Sequence, residues 1–289
     1  MTVDIVMPVH NGEALLGECL EHLLREVDRG SIIVVDDAST DGTVGVAERL
    51  GVRVLREPVT VGPYAARNTG WRTSTADIVV FTDVRCRPLK GWFQGLLECL
   101  NGEGVAIVGC DIEMRANRPS TAERWALITK PLRIQGYLEH PFMPYVPTAC
   151  LAITREHLVR LNGFSAVRSG ADADFCWRAQ IAGLGAITAS EIGMWARPRT
   201  SSRGVLRQFR RYGQSGRELQ RLYTTHGHVP NTPKALGTGR RALLALRDRR
   251  ADPAVALLDA ARIVAYEHGF RAEVRREKTA LGKHSRVAG

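Results

Sequence analysis

The chain has 289 residues, 44% hydrophobic and 24% charged, with a formal net charge of +10. That composition describes an ordinary globular protein of one large or two small domains. No run approaches the ~18 uninterrupted apolar residues of a membrane span, and Asp4 breaks the apolar start too early for a signal peptide, so a cytoplasmic protein is expected.

Taken in order, residues 2–8 read as a buried strand stopped by Pro8. Residues 12–27 carry Leu15, Leu16, Cys19, Leu20, Leu23 and Leu24 at helical spacing. A continuous apolar strand is predicted over 31–35, and Asp41 caps a helix running to about Leu50. A short strand over 52–55, a helix over 64–74 and a strand over 78–81 follow. Next come a helix over 90–100 and a strand over 105–109. Residues 113–146 read as irregular. A strand resumes over 148–154, then a helix over 172–182, a long basic helix over 203–223, and two or three more helices within 233–283. The alternation predicts an α/β fold, a mostly parallel twisted sheet with helices on both faces.

Six cysteines lie scattered, without Cys-x-x-Cys or Cys/His clusters. This argues against a structural zinc site and a disulfide framework, and favours buried free thiols. A Gly-x-Gly-x-x-Gly turn, a P-loop and a Gly-x-Ser-x-Gly elbow are all missing, which disfavours dinucleotide, P-loop and serine-hydrolase chemistry.

Four polar patches recur: Pro8-Val9-His10-Asn11, the acidic run Asp36-Asp37-Ala38-Ser39-Thr40-Asp41, Ala66-Arg67-Asn68 and Phe81-Thr82-Asp83. Three follow predicted strands and one opens a helix. In a parallel sheet such strand ends share one edge, where ligands bind. Carboxylates there can accept from a base or ribose hydroxyls, or they can be turn chemistry. Arg67 can clamp phosphate through paired donors. Asp83 can take a ribose hydroxyl or a metal. Asp172 opens a helix as cap or general base, and Arg178 is spaced to meet Asp174 at i, i−4.

Together the patches resemble family 2 glycosyltransferases, enzymes of the GT-A fold that use nucleotide-diphospho-sugars. The resemblance covers about residues 2–215. It rests on the patches above, on Asn162-Gly163-Phe164, and on Ala171-Asp172-Ala173-Asp174-Phe175-Cys176-Trp177-Arg178. It implies a transferase domain over 1–200 and a helical basic region over 201–289. It implies that Pro8, Val9, Asn11, Asp36, Asp37, Arg67 and Asp83 bind the donor nucleotide, most commonly of a UDP-sugar. It implies that Asp172 deprotonates the acceptor in an inverting displacement. Asp174 lies on the acceptor side by the same reading. Gln208, Arg211 and Tyr212 resemble the Gln-x-x-Arg-Trp helix of processive members, which holds acceptor or diphosphate.

Two departures bear on the cofactor, Mg2+ or Mn2+ in the family. Arg85 stands where the second carboxylate of Asp-x-Asp is expected, leaving Asp83 as the one metal ligand, and Ala171 replaces the Glu of Glu-Asp. Arg85, with Arg197, Arg210 or Arg211, can supply the cation on the diphosphate instead, so a metal-independent or weakly metal-dependent enzyme is expected; otherwise Asp83, with substrate phosphates and water, holds the Mg2+ or Mn2+. The alternative is an inactive partner subunit that binds nucleotide or glycan.

The charge is uneven: residues 197–289 carry 21 Lys+Arg against 7 Asp+Glu. No nucleic-acid motif accompanies this excess, so no nucleic-acid partner is expected. Residues 254–266, apolar with flanking arginines, can pack on the catalytic domain or a second subunit, or can lie on a membrane surface in peripheral contact with its inner face. The acceptor stays open: a lipid-linked glycan, a polysaccharide, a peptide or a natural product.

Overall fold

The computed structural model describes residues 1–167, 169–227, 238–248 and 251–287. The first part alternates strictly: β1 (Val3–Val9), α1 (Glu13–Leu23), β2 (Ile32–Asp36), α2 (Thr43–Arg49), β3 (Arg53–Arg56), α3 (Pro63–Thr73) and β4 (Ile78–Thr82). Then come β5 (Cys86–Pro88), α4 (Trp92–Leu100), β6 (Val105–Met114), α5 (Thr121–Thr129), α6 (Gln135–Leu138), β7 (Cys150–Thr154), α7 (Arg155–Leu161), α8 (Ala171–Ile181) and β8 (Ala186–Ala196). Among the described residues the chain goes on as α9 (Ser202–Tyr223), α10 (Thr238–Asp248) and α11 (Pro253–Val287). The chain forms two compact units. The first comprises Met1–Arg115, Lys130–Ala166 and Ala171–Arg197, and the second Ala116–Thr129, Val167–Gly170 and Pro198–Gly289.

The first unit is built on an eight-stranded sheet in the order β3-β2-β1-β4-β7-β6-β8-β5. β3, β2, β1 and β4 run parallel, with Val9 beside Asp36 at the carboxyl edge. β6 and β8 are also parallel. β7 runs antiparallel to β4 and β6, and β5 antiparallel to β8. The long apolar runs follow from burial on both faces. Ile5 and Met7 pack with Leu16, Leu20, Trp92 and Leu96 under α1 and α4. On the other face α3 lies so close that a Cβ on Gly70 would fall 2.4 Å from a Val6 methyl.

The stretch 113–146 is not irregular throughout, as its sequence suggests. It holds the end of β6 and the helices α5 and α6. β5, α7 and β8 were also illegible: two are very short, and β8 mixes apolar residues with Thr188, Ser190 and Glu191. Within 233–283, α10 and α11 are present, and residues 233–237 and 249–250 lie outside the described residues. All six cysteines are free thiols.

The second unit is helical. Trp125 of α5 donates its indole N–H to the buried Asp259 of α11 at 2.7 Å. Arg262 bonds the same carboxylate at 2.6 Å and stacks over Phe209 of α9. Arg210 lies beside Gly269 and Arg217 pairs with Glu277, so α9 and α11 run side by side in the same direction. Glycine makes that approach possible. A Cβ on Gly213 would sit 1.9 Å from the Tyr266 carbonyl oxygen, and one on Gly269 1.9 Å from that of Arg210. The obstacle is backbone, which cannot swing away. Gly213→Ala is therefore expected to destabilise the protein by about 1–3 kcal/mol. Gly239→Ala on α10, with nothing within 4 Å, is expected to be neutral or slightly stabilising through helix propensity. Urea unfolding of the two variants checks the contrast.

Candidate functional site

The parallel β1, β2 and β4 end at one edge, and the loops leaving them carry most of the sequence-predicted residues. These loops are tied to each other. The Asp37 N–H donates to the Val9 carbonyl at 2.7 Å, and the Asn11 N–H donates to Ser39 Oγ at 2.8 Å. The Asn11 side-chain oxygen accepts from the Thr40 N–H at 2.8 Å. Asp41 accepts from the N–H of both Thr43 and Glu13, while Glu13 accepts from the Gly42 N–H, so two helix N-termini share one set of caps. Asn11 and Ala38 adopt φ of 51° and 54°. For alanine this is an uncommon, costly conformation, held by the surrounding bonds.

The candidates differ in what they have left to offer. Pro8 and Val9 are buried in β1, Val9 within the hydrophobic core. Asp37 is buried, and its two oxygens accept from the Val61 and Gly62 N–H groups at 2.6 and 3.0 Å, which fixes the entry to α3. Asp36 accepts from the Ser39 N–H through Oδ2, but its buried Oδ1 has no partner. That orphan acceptor at the strand end stands ready for a donor.

Beside it lies a chain of charges. Arg67, on the first turns of α3, is buried and pairs with Asp83 just past β4. Its guanidinium also stacks over Tyr64 at 5.5 Å, one turn earlier. The Tyr64 hydroxyl hydrogen-bonds the carboxylate of Asp172, in the first turn of α8. Burial pushes the Asp172 carboxyl above the usual value of 3.8, against the opposing pull of its bond from the Ala173 N–H, the Arg67 charge and the Tyr64 bond. Beneath, Phe164 packs on Phe81 and Phe175 at 5.0 and 4.6 Å, seating α8 against β4. Arg67, Asp83, Tyr64 and Asp172 are thus linked, past the ends of the parallel strands that also carry Asp36. Tyr64 was not singled out from the sequence; its spacing of three from Arg67 on a helix was the available signal.

Other candidates have structural duties. Asp174 is buried, takes the Ser165 hydroxyl at 2.7 Å and the Arg178 Nε at 2.9 Å, and Arg178 in turn donates to the carbonyls of Leu161 and Gly163. Arg85 is half-buried, with its carbonyl accepting from the Arg197 N–H at 3.0 Å. Arg197 spends its guanidinium on Glu18 through two bonds of 2.7 and 2.8 Å. Gln208, Arg211 and Tyr212 lie on α9 in the second unit, where Gln208 donates to the Tyr212 hydroxyl at 2.5 Å.

The pattern of glycosyl transferase family 2 matches residues 4–158. The chain belongs to that family. Its fold is GT-A. The mannosyltransferase PcManGT of Pyrobaculum calidifontis, solved with GDP-Man and Mn2+, matches with a TM-score of 0.62 at 21% identity, over 92% of this chain and 86% of that one. Glucosyl-3-phosphoglycerate synthase of Mycobacterium tuberculosis, solved with Mn2+, UDP and phosphoglyceric acid, matches at 0.56 and 23% identity over 80% of each chain. In sequence, the chain is 33% identical over 188 residues to the pre-mycofactocin glycosyltransferase of M. tuberculosis H37Rv, 61% of this chain and 38% of that protein's length. It is 31% identical over 136 residues to glycosyltransferase AglE of Haloferax volcanii, 44% of this chain and 45% of that one. The matches thus span less than half the length of these relatives.

The family chemistry raises the question of a divalent ion, and the donor set here does not suit one. Asp83 already pairs with Arg67, and the side chain two residues on is the Arg85 guanidinium. Among the described residues no cluster of three or more His, Cys, Asp or Glu side chains could hold a metal. A divalent ion here would have to compete with Arg67 for Asp83 and take its other oxygens from substrate phosphates and water.

Glu18 is the unforeseen member of the region: it sits on α1, distant in sequence from both of its partners. It holds Arg197 and the fully buried Arg87 together, and these guanidiniums keep its carboxyl down at about 2, the Arg197 bonds contributing most. A depressed carboxyl stabilises the fold above its unfolded value of 4.5, and that contribution is lost as pH falls through about 2. Glu18→Gln is expected to cost about 2 kcal/mol, less than the ~3–5 kcal/mol of breaking a wholly buried pair, because Glu18 is partly solvated. It should also flatten the stability profile between pH 4.5 and about 2. Urea unfolding across that window measures both effects.

Proposed function

We propose that the protein is an inverting glycosyltransferase that moves a sugar from a nucleotide-diphospho-sugar, a UDP-sugar foremost, to an acceptor hydroxyl. The observation that carries this reading is Asp172: a carboxylate raised by burial, bonded to Tyr64 and close to the Arg67 charge, at the carboxyl edge of the parallel strands. Asp36 Oδ1, buried and without a partner, is the candidate acceptor for the nucleotide base. Arg67 and Asp83 form the wall beside the ribose and diphosphate.

In this reading Asp172 removes the proton from the acceptor hydroxyl as its oxygen bonds the anomeric carbon. The bond from that carbon to the diphosphate oxygen breaks on the opposite side, and the nucleoside diphosphate leaves with the electron pair. Inversion follows from the single displacement. Arg85 supplies positive charge to the leaving diphosphate, where the residues do not suit a divalent ion. A fixed guanidinium, like a metal ion, stabilises charge that develops only in the transition state.

The base must be ionised to work, so the rate falls as pH drops through the raised Asp172 value. The acid limb is therefore expected above the ordinary aspartate range. Slow hydrolysis of UDP-glucose, with water standing in for the acceptor, provides the assay. Asp172→Asn is expected to lower turnover by about 10²–10⁴-fold while donor binding persists. Tyr64→Phe removes a bond that favours the ionised form, and its acid limb is expected to move to higher pH. Unchanged turnover in Asp172→Asn would contradict the assignment. Absence of turnover in the unmodified protein, with every nucleotide sugar tried, would favour a binding subunit.

A further inference from the structure

On the second unit, α9 and α11 leave between them a groove of about 620 Å³. Leu206, Ala261 and Val264 line it together with Arg203, Arg207 and Arg210. The arginines recur at i, i+4 and i+7, so one stripe of α9 carries them all. All three are exposed, and none is paired with a carboxylate of the described residues. The nearby acids on α11 are committed elsewhere: Asp259 to Trp125 and Arg262, Glu267 to Arg271. Val264 is 52% exposed, and Leu257, on the same stripe of α11 seven residues earlier, is 65% exposed.

We propose that this face docks on an anionic lipid bilayer, with Leu257 and Val264 entering the headgroup boundary and the three arginines meeting lipid phosphates. Charge complementarity selects that occupant. A second copy seating the same face there would bring its own basic helices, from the part of the chain with 21 Lys+Arg against 7 Asp+Glu, and like would meet like. A free phosphate would gain nothing from the exposed Leu257 and Val264, whereas a bilayer uses both kinds of group at once. Long arginine stems flanking apolar side chains suit the transition from headgroup to acyl chain. The inference goes beyond the transfer reaction and does not depend on it.

The test is flotation of the full chain with phosphatidylcholine vesicles, with and without about 30% phosphatidylglycerol, at about 0.1 M and 1 M salt. Flotation is expected with the anionic vesicles at low salt, with loss at high salt and none with pure phosphatidylcholine. Arg203→Glu with Arg207→Glu is expected to lower the bound fraction about 10-fold or more. Leu257→Asp with Val264→Asp should lower it several-fold at an unchanged melting temperature. Should the reversals unfold the chain, Arg203→Gln with Arg207→Gln carries the same comparison. Failure to float on anionic vesicles, or flotation indifferent to these substitutions, overturns the proposal. So does a sedimentation-detected dimer that the same substitutions dissociate, which would make the face a contact between copies.

Discussion

The buried guanidinium of Arg67 sets the terms for the rest of the site. A charge that far out of water must be paired, and losing its partner would cost about 2 kcal/mol, less than for a wholly buried pair because the partner is partly solvated. Asp83 is that partner. The pairing fixes the first turns of α3 against the end of β4, and it places Tyr64, one turn back, where its hydroxyl reaches Asp172. It also draws on the carboxylate that a divalent ion would need. One ion pair thus positions the proposed base and shapes how the diphosphate charge can be met. Arg85, two residues past Asp83, follows the same logic.

Around this pair the strand-end loops satisfy themselves. Asn11, Asp37, Asp41 and Glu13 all bond backbone N–H groups of neighbouring loops, so polar residues that look like ligands are partly scaffolding. What stays open is informative by contrast. Asp36 has one buried oxygen without a partner, in a region where its neighbours are saturated. The edge is rigid enough to hold Ala38 at positive φ, and such preorganisation is what a binding edge needs.

Much of this was legible because parallel strands buried on both faces leave little choice. Runs such as Ile32-Ile33-Val34-Val35 cannot be surface, and the polar residues that follow must lie at one edge. The Arg67, Asp83 and Asp172 positions followed from motif order. Their mutual arrangement did not, because it depends on α8 crossing to α3 from a hundred residues away. Asp37 illustrates the limit: a carboxylate after a strand reads alike whether it meets a base or the Val61 and Gly62 amides. Glu18 gave no sign, since its worth lies wholly in tertiary partners, Arg87 and Arg197. The second unit was legible as helices but not as packing, where Gly213 and Gly269 matter for their missing side chains.

The central claim is that guanidinium charge, rather than a divalent ion, meets the donor diphosphate beside the Arg67–Asp83 pair. Calorimetric titration with UDP, in parallel with Mn2+ and with EDTA, tests it most directly. The account predicts binding of the same affinity in both, weakened by Arg85→Ala by about 1.5–3 kcal/mol, as for a hydrogen bond to a charged group. Binding that needs Mn2+ and vanishes in EDTA would contradict it.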